Sequence, residues 1–258
     1  MLKIIVCCKP VPRGIKNVKL VESRGVVECG SNSFLMNECD EYALDAALVW
    51  KKELGAEVTV LTVGGIRSQD ILYIALAKGA DKAIRIDSDV NDSGVMARVI
   101  AEALRGKGYD LILTGLESED NMASQVGTSL AERLGLAYAF AVTKVQFGGD
   151  QRVVKVVAEL GGGIQEELEV SLPAVLAIQS GIATLTYAAL AKIMRARRTP
   201  LSSISLRELK LERDSLESMR PRTLEVFEPP KAGYAEMIEG SADQIAETFM
   251  SKVKHVLG

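Results

Sequence analysis

Histidine is almost missing. The chain of 258 residues has one, His255, together with a single tryptophan and 5% aromatic residues in all. One imidazole argues against Ser–His or Cys–His nucleophile pairs and against His-rich metal sites. Net charge is scarce too: 31 Lys+Arg against 34 Asp+Glu leaves −3. Such a balance gives no electrostatic case for nucleic acid or an anionic membrane as the main partner. The four cysteines, Cys7, Cys8, Cys29 and Cys39, form no CxxC. They read as small hydrophobes in a reduced, cytoplasmic protein. Long apolar runs are few. MLKIIVCCKPVP is too short and wrongly flanked for a signal peptide. Ser171 to Ala191 carries no charge and is long enough to span a bilayer. Pro173, Gln179, Ser180, Gly181, Thr184 and Thr186 dilute it, so it reads as a buried strand followed by an apolar surface segment.

What is present fits a large core: 48% apolar and 25% charged residues suit one large or two small domains. KIIVCC (3–8) is a short apolar run stopped by Lys9, Pro10 and Pro12, as in a buried parallel strand. Its neighbours Cys7 and Cys8 are then expected on opposite faces. Asn37 precedes a stretch whose apolar residues Ala43, Ala47, Leu48 and Leu54 recur at helical spacing up to Gly55. A strand over 57–65, a helix over 68–80 capped by Ser68, and a strand over 82–86 follow. Next come a helix (93–108), a strand (109–115) and a helix (124–135). This alternation predicts an α/β fold, a doubly wound, mostly parallel sheet with helices on both faces. After 140, shorter alternating strands separated by GGD and GGG predict an antiparallel hairpin or meander, and 173–179 reads as another buried strand. From 184 no further strand is evident. The expected division is therefore an α/β domain over 1–183 and a C-terminal arm over 184–258 that ends in a helix.

In an open parallel sheet, ligands bind beyond the carboxyl ends of the strands. The loop 115–129 is the most informative. It leaves a strand at Gly115, passes Glu117, Glu119, Asp120, Asn121 and Met122, and enters a helix through Ala123, Ser124, Gln125, Val126, Gly127, Thr128 and Ser129. Small residues and free N–H groups at a helix start can hold a phosphate, while Asp120 or Asn121 could bind a ribose or base edge. The alternative is a plain loop before a capped helix, since neither GxGxxG nor GxxxxGK[ST] is present. Asn37 and Asp40 either cap a helix or, for Asn37, offer an amide to an adenine edge. On the arm, Lys192, Arg195, Arg197 and Arg198 accompany Leu185, Tyr187, Leu190 and Ile193. Residues 195–222 hold eight basic and four acidic residues, a local +4. Such a run is either a solvated face or a surface for transient partners.

Taken in order, VCCKPVP, MNECDEYALDAAL, VTVLTVGG, ALAKGADKAIRI, DLILTGLESEDNMASQVGTSLAERLG, LPAVLAIQ and YAALAKIMRARRTPL resemble the beta subunit of electron transfer flavoprotein along nearly the whole chain. PPKAGYAEMIEG resembles one branch of that family. The resemblance implies an adenine-nucleotide-binding, Rossmann-like sheet and a heterodimer with an alpha subunit that carries the redox-active FAD. It also implies a structural AMP in the beta subunit and a loop that docks dehydrogenases, with a quinone-linked or other acceptor downstream. The AMP site implied is Cys7 by its backbone, Asn37, Glu38, Cys39, Asp40, Val63, and Gly115 with 120–128. The docking residues implied are Tyr187, Leu190, Ile193 and Arg195, with the arm beyond Met194 wrapping the alpha subunit. No catalytic side chain and no metal is implied, because the flavin does the redox chemistry.

The sequence departs from the family pattern at four places: Glu38 stands where proline is common, Asp120 alone remains of an acidic run, Thr186 replaces an arginine, and Cys39 replaces an aromatic residue. Part of the family binds a second FAD in place of AMP and bifurcates electrons. KPVP and SQVG lean that way, but Arg13 and Gly14 stand where that group has Asp-Thr. Two readings of other classes remain: a free-standing nucleotide-binding regulatory module, which would not need the arm, and an adenylating enzyme, which would need a glycine-rich loop where CCKPVP has proline.

Overall fold

The computed structural model describes the chain except residues 14–17, 22–25, 30–33, 150–151, 222–223, 226, 228–229, 231–232, 234 and 258. Gly14 and Pro229 lie outside the described residues, as do the side chains of Cys29 and His255.

Continuous apolar runs become strands buried on both faces. These are β1 (Lys3–Cys7), β6 (Glu57–Val63), β7 (Lys82–Asp87), β8 (Leu111–Gly115) and β12 (Ala174–Ile178). β1 sits centrally, paired parallel to β6 on one side and β8 on the other. The full order is β11-β10-β9-β12-β8-β1-β6-β7-β13 in one nine-stranded sheet. The period of two along β1 splits its residues between two cores. Ile4, Val6 and Cys8 join Ala43 and Leu44 of α1 (Glu38–Leu54) and Ile71 of α2 (Gln69–Lys78). Ile5 and Cys7 join Val95 and Val99 of α3 (Ser93–Leu104) and Leu130 of α4 (Val126–Leu134). Helices thus cover both faces, as the alternation of apolar runs requires, and the adjacent cysteines point into opposite cores.

The helix boundaries have local causes. α1 ends at Gly55, whose φ of 69° is the left-handed conformation a C-cap needs. α3 starts behind Asp92, whose carboxylate accepts from the Val95 amide at 2.9 Å. Ser68 makes no capping bond; a short 3-10 turn over Ile66–Ser68 leads into α2 instead.

The meander after residue 136 is present as β9 (Ala137–Phe147), β10 (Val153–Gly161) and β11 (Ile164–Ser171), with β10 antiparallel to both neighbours. Alternation shows along β10, where Val154, Val156 and Ala158 are buried between more exposed residues. Phe147 meets Trp50 edge-on with ring centroids 5.2 Å apart. Two small antiparallel strand pairs lie between β1 and α1: β2 (Pro10–Pro12) with β5 (Phe34–Met36), and β3 (Val18–Val21) with β4 (Val26–Cys29).

The expectation of no strand after 184 is corrected. β13 (Ser202–Ser205) pairs parallel to β7 as the ninth strand. Leu206, Leu209, Leu211 and Leu216 then pack on the second core. SSIS has too few apolar residues to register as a strand from pattern alone, and the free edge of β7 supplies the template. Before β13 lies α5 (Leu190–Ala196); after it come α6 (Arg213–Glu217) and α7 (Ala242–Leu257). No helix among the described residues is long and apolar enough to cross a membrane.

Candidate functional site

The strands on either side of β1 leave in opposite directions in the chain order, so a crevice opens where their carboxyl ends diverge. An open cleft lies there. Its floor is Cys7 of β1 with Cys8 just beyond it, Leu61 and Val63 of β6, and Thr114 and Gly115 of β8. Met96 and Ile100, one turn apart on α3, form an apolar end, with Asn91 and Ser93 at that helix's start. The loop through Glu117, Ser118, Asn121, Ala123, Ser124 and Gln125 makes the other wall, ending at Val126 where α4 begins. Lys9 is the single basic residue among these lining residues.

Two buried polar side chains build the walls. Asn37, 1% exposed, donates from Nδ2 to the Glu117 carbonyl at 2.7 Å and accepts at Oδ1 from the Glu119 amide at 3.1 Å. Asp40, 5% exposed, accepts the Lys9 amide at 2.7 Å and the Gly115 amide at 2.8 Å, one on each carboxylate oxygen. Neither residue caps α1 by its side chain, so the capping expectation is replaced: both tie the β1 and β8 exits to the start of α1. The Asn37 amide thus spends one N–H and one acceptor position on the backbone. Burial pushes the Asp40 carboxyl up to about 7, against the pull of the Lys9 and Gly115 amides.

Gly115 is required where it stands. A Cβ there would lie 2.3 Å from Asp40 Oδ1 and 2.9 Å from the Cys39 Cβ. Cys39 therefore sits behind Gly115 rather than in the cleft. Burial raises its thiol, and raises the Cys7 thiol to about 12, which leaves both as neutral packing groups.

The start of α4 carries features of an anion seat. Ser124 has φ of 51° and the following Gln125 has φ −106° and ψ −24°. Neighbours of opposite hand turn successive N–H groups to one side. Thr114, 4% exposed, has its Oγ1 buried without a partner. Gly127 faces it, where a Cβ would come within 2.8 Å of that oxygen and 3.3 Å of the Tyr138 ring. Glu117 bonds the Ser124 hydroxyl at 3.3 Å, so a carboxylate already sits near the helix start. Across the mouth, the Lys9 ammonium bonds Asp120 and, at 3.2 Å, the Ser118 hydroxyl.

Of the residues expected from sequence, Cys7, Asn37, Asp40, Val63, Gly115, Asn121, Ala123, Ser124, Gln125 and Val126 line the cleft. Asp120 sits at its rim through Lys9. Glu38, whose amide bonds Glu119, and Cys39 lie behind the wall; Gly127 packs behind it, and Met122 points out, 66% exposed. Thr128 is exposed on α4 and does not line the cleft. Sequence reasoning missed Lys9, Thr114, Met96 and Ile100. Lys9 and Thr114 could have been found as residues at strand ends, and the α3 pair as an i, i+4 apolar face.

The expected docking residues are gathered elsewhere. Tyr187 and Leu190 are 94% and 73% exposed, Arg195 is exposed, and Ile193 is half-buried.

A doubly wound α/β sheet with a cleft at its switch point and an apolar, basic segment after the last buried strand defines the class of α/β proteins to which this chain belongs. The chain belongs to the electron transfer flavoprotein beta-subunit family. The family model for the electron transfer flavoprotein domain matches residues 26–209. The chain is 30% identical over 265 residues to the electron transfer flavoprotein subunit beta of Methylophilus methylotrophus, covering all of both chains. It is 29% identical over 240 residues to the same subunit of Bacillus subtilis, covering 92% of each. It is also 29% identical over 261 residues to the caffeyl-CoA reductase-Etf complex subunit CarD of Acetobacterium woodii, covering 98% of each.

Proposed function

We propose that this chain is the beta half of a heterodimeric electron transfer flavoprotein and that its switch-point cleft seats a structural AMP. The observation that carries the reading is the start of α4. There a buried threonine hydroxyl without a partner and N–H groups turned to one side meet at one wall of the cleft, with a glycine that has no room for a Cβ packed behind it. A phosphate supplies the acceptors those donors lack. The apolar end at Met96 and Ile100 suits a base, and Lys9 can shift from Asp120 to balance phosphate charge. Asn37 and Asp40 hold the walls, so their contribution to the nucleotide is indirect.

FAD held mainly by the alpha subunit supplies the electron storage in this reading. This chain needs no general acid or base for that task and acts as a carrier subunit, not an enzyme. It provides the nucleotide seat, the alpha-subunit contact and a docking surface at Tyr187, Leu190, Ile193 and Arg195. Its partners are dehydrogenase donors of the acyl-CoA or amine type and a quinone-linked or other acceptor, in the cytoplasm.

Extraction of the co-expressed complex and mass identification of released nucleotides tests this. One FAD plus one AMP per heterodimer is expected. Two FAD would replace AMP by the bifurcating arrangement. A colourless, nucleotide-free, stably folded monomer would sink the carrier reading altogether.

A further inference from the structure

The exposed segment at 187–194 is attached to the body by an unusual device beneath it. Lys78, in the last turn of α2, has a side chain only 1% exposed and pairs with Asp45 of α1 at 2.7 Å and Glu41 at 2.9 Å. Asp45, whose side chain is 3% exposed, has both oxygens engaged. Oδ1 accepts the Thr186 hydroxyl at 2.8 Å, and Oδ2 accepts the Thr186 amide at 2.9 Å as well as the Lys78 ammonium. Residues 179–189 contain no helix or strand. Among the described donors of 181–189, those that find a protein acceptor are both on Thr186. At the other end, Arg197 pairs with Asp70 of α2 at 2.8 Å and lies over the Tyr73 ring, 5.6 Å from its centroid.

The segment is therefore pinned on both sides of its exposed apolar residues, and the inner pin is buried and ionic. A buried ion pair is weak evidence for stability, because desolvation offsets much of the attraction. Its geometric content is greater. A carboxylate fixed by a buried ammonium presents two acceptors at one position, and an irregular segment that meets them twice loses its freedom there. Ordering before contact lowers the entropy lost when a partner binds.

We propose that the Lys78–Asp45 pair, acting through Thr186, preorganises the 187–194 segment for its partner, which makes Asp45, Lys78 and Thr186 positioning residues for docking. The proposal rests on the docking reading given above.

The test uses the co-expressed heterodimer and a dehydrogenase donor chosen because it reduces the wild-type complex. Thr186→Val keeps the backbone bond and loses the hydroxyl bond, and Asp45→Asn keeps Lys78 paired with Glu41. Amide exchange over 187–194 is expected to quicken about tenfold or more in Asp45→Asn and less in Thr186→Val, with the sheet peptides unchanged. The KM for the donor should rise about threefold to tenfold with kcat retained, and Thr186→Ser should restore both readouts. Wild-type exchange over 187–194 as fast as in an unstructured peptide would overturn the proposal. So would an unchanged KM in Asp45→Asn despite faster exchange. Leu190→Ala separates the two ideas: an unchanged KM there would overturn the docking reading itself, whatever the exchange rates show.

Discussion

Asn37, Asp40 and Thr114 are 1%, 5% and 4% exposed, whereas Tyr187, Leu224 and Met237 are 94%, 88% and 81% exposed. Around the cleft, polar groups are buried; along the chain after 184, large apolar groups are in water. Both invert the common arrangement, and the informative observation is always the buried polar group or the exposed apolar one. The two inversions differ in kind. Asn37 and Asp40 at the cleft are answered from within the chain, by amides and carbonyls 31 to 82 residues away, and the Thr114 hydroxyl alone of the three is left without a partner among the described residues. Large apolar groups of the tail stay exposed, and α7 leaves Ile245, Phe249 and Met250 partly in water. One region is held mostly by its own backbone and the other leaves apolar surface open.

The comparison can be broken by attacking each side. Asp40→Ala should have the largest effect. It strips two buried backbone amides of their acceptor and should lower unfolding free energy by about 3 kcal/mol, seen in urea titration of the complex, with loss of bound nucleotide. An effect under about 1 kcal/mol would mean that the cleft does not complete itself through this carboxylate.

The same residue predicts a pH dependence. Its folded pKa of about 7 lies above the ordinary 3.8. The folded protein then holds a proton that the unfolded chain has released. Unfolding free energy should fall as pH rises from about 4 to about 7, by on the order of a few kcal/mol, and level off above. Asp40→Asn should flatten that slope, and an unchanged slope would assign it to other groups. Gly127→Ala is expected to push on Thr114 and cut nucleotide retention about tenfold, equivalent to about 1.4 kcal/mol, with the fold intact. Nucleotide content equal to wild type would remove the α4 start from the seat. Leu190→Ala is the mildest. It should change stability by less than about 0.5 kcal/mol while slowing reduction by the donor, so that the tail is hurt in contact and not in folding.

The alternation of apolar runs, with Gly55 and Gly135 closing helices, made the parallel sheet and its helices readable, because those signals are local. The loop at 115–128 was readable for the same reason. What sequence could not reveal was who answers whom. Asn37 looked like a cap because its partners at Glu117 and Glu119 are 80 and 82 residues away. Lys9 looked like the end of a strand because its ionic partner, Asp120, lies 111 residues on. Ser202–Ser205 has no strand pattern of its own, and it pairs because β7 offers an open edge.

That ninth strand has a bearing on how the chain can be cut. Parallel to β7, it covers a row of amides and carbonyls that would otherwise face outward along the sheet's last parallel member. A fragment stopped at 183 would keep every element that frames the cleft, yet it would present a bare, flat edge ready to pair with its own copies. The part of the chain that reads as an accessory to the sheet thus also gives it a shorter edge, four residues in place of six, and a shortened version should clump before it fails to fold.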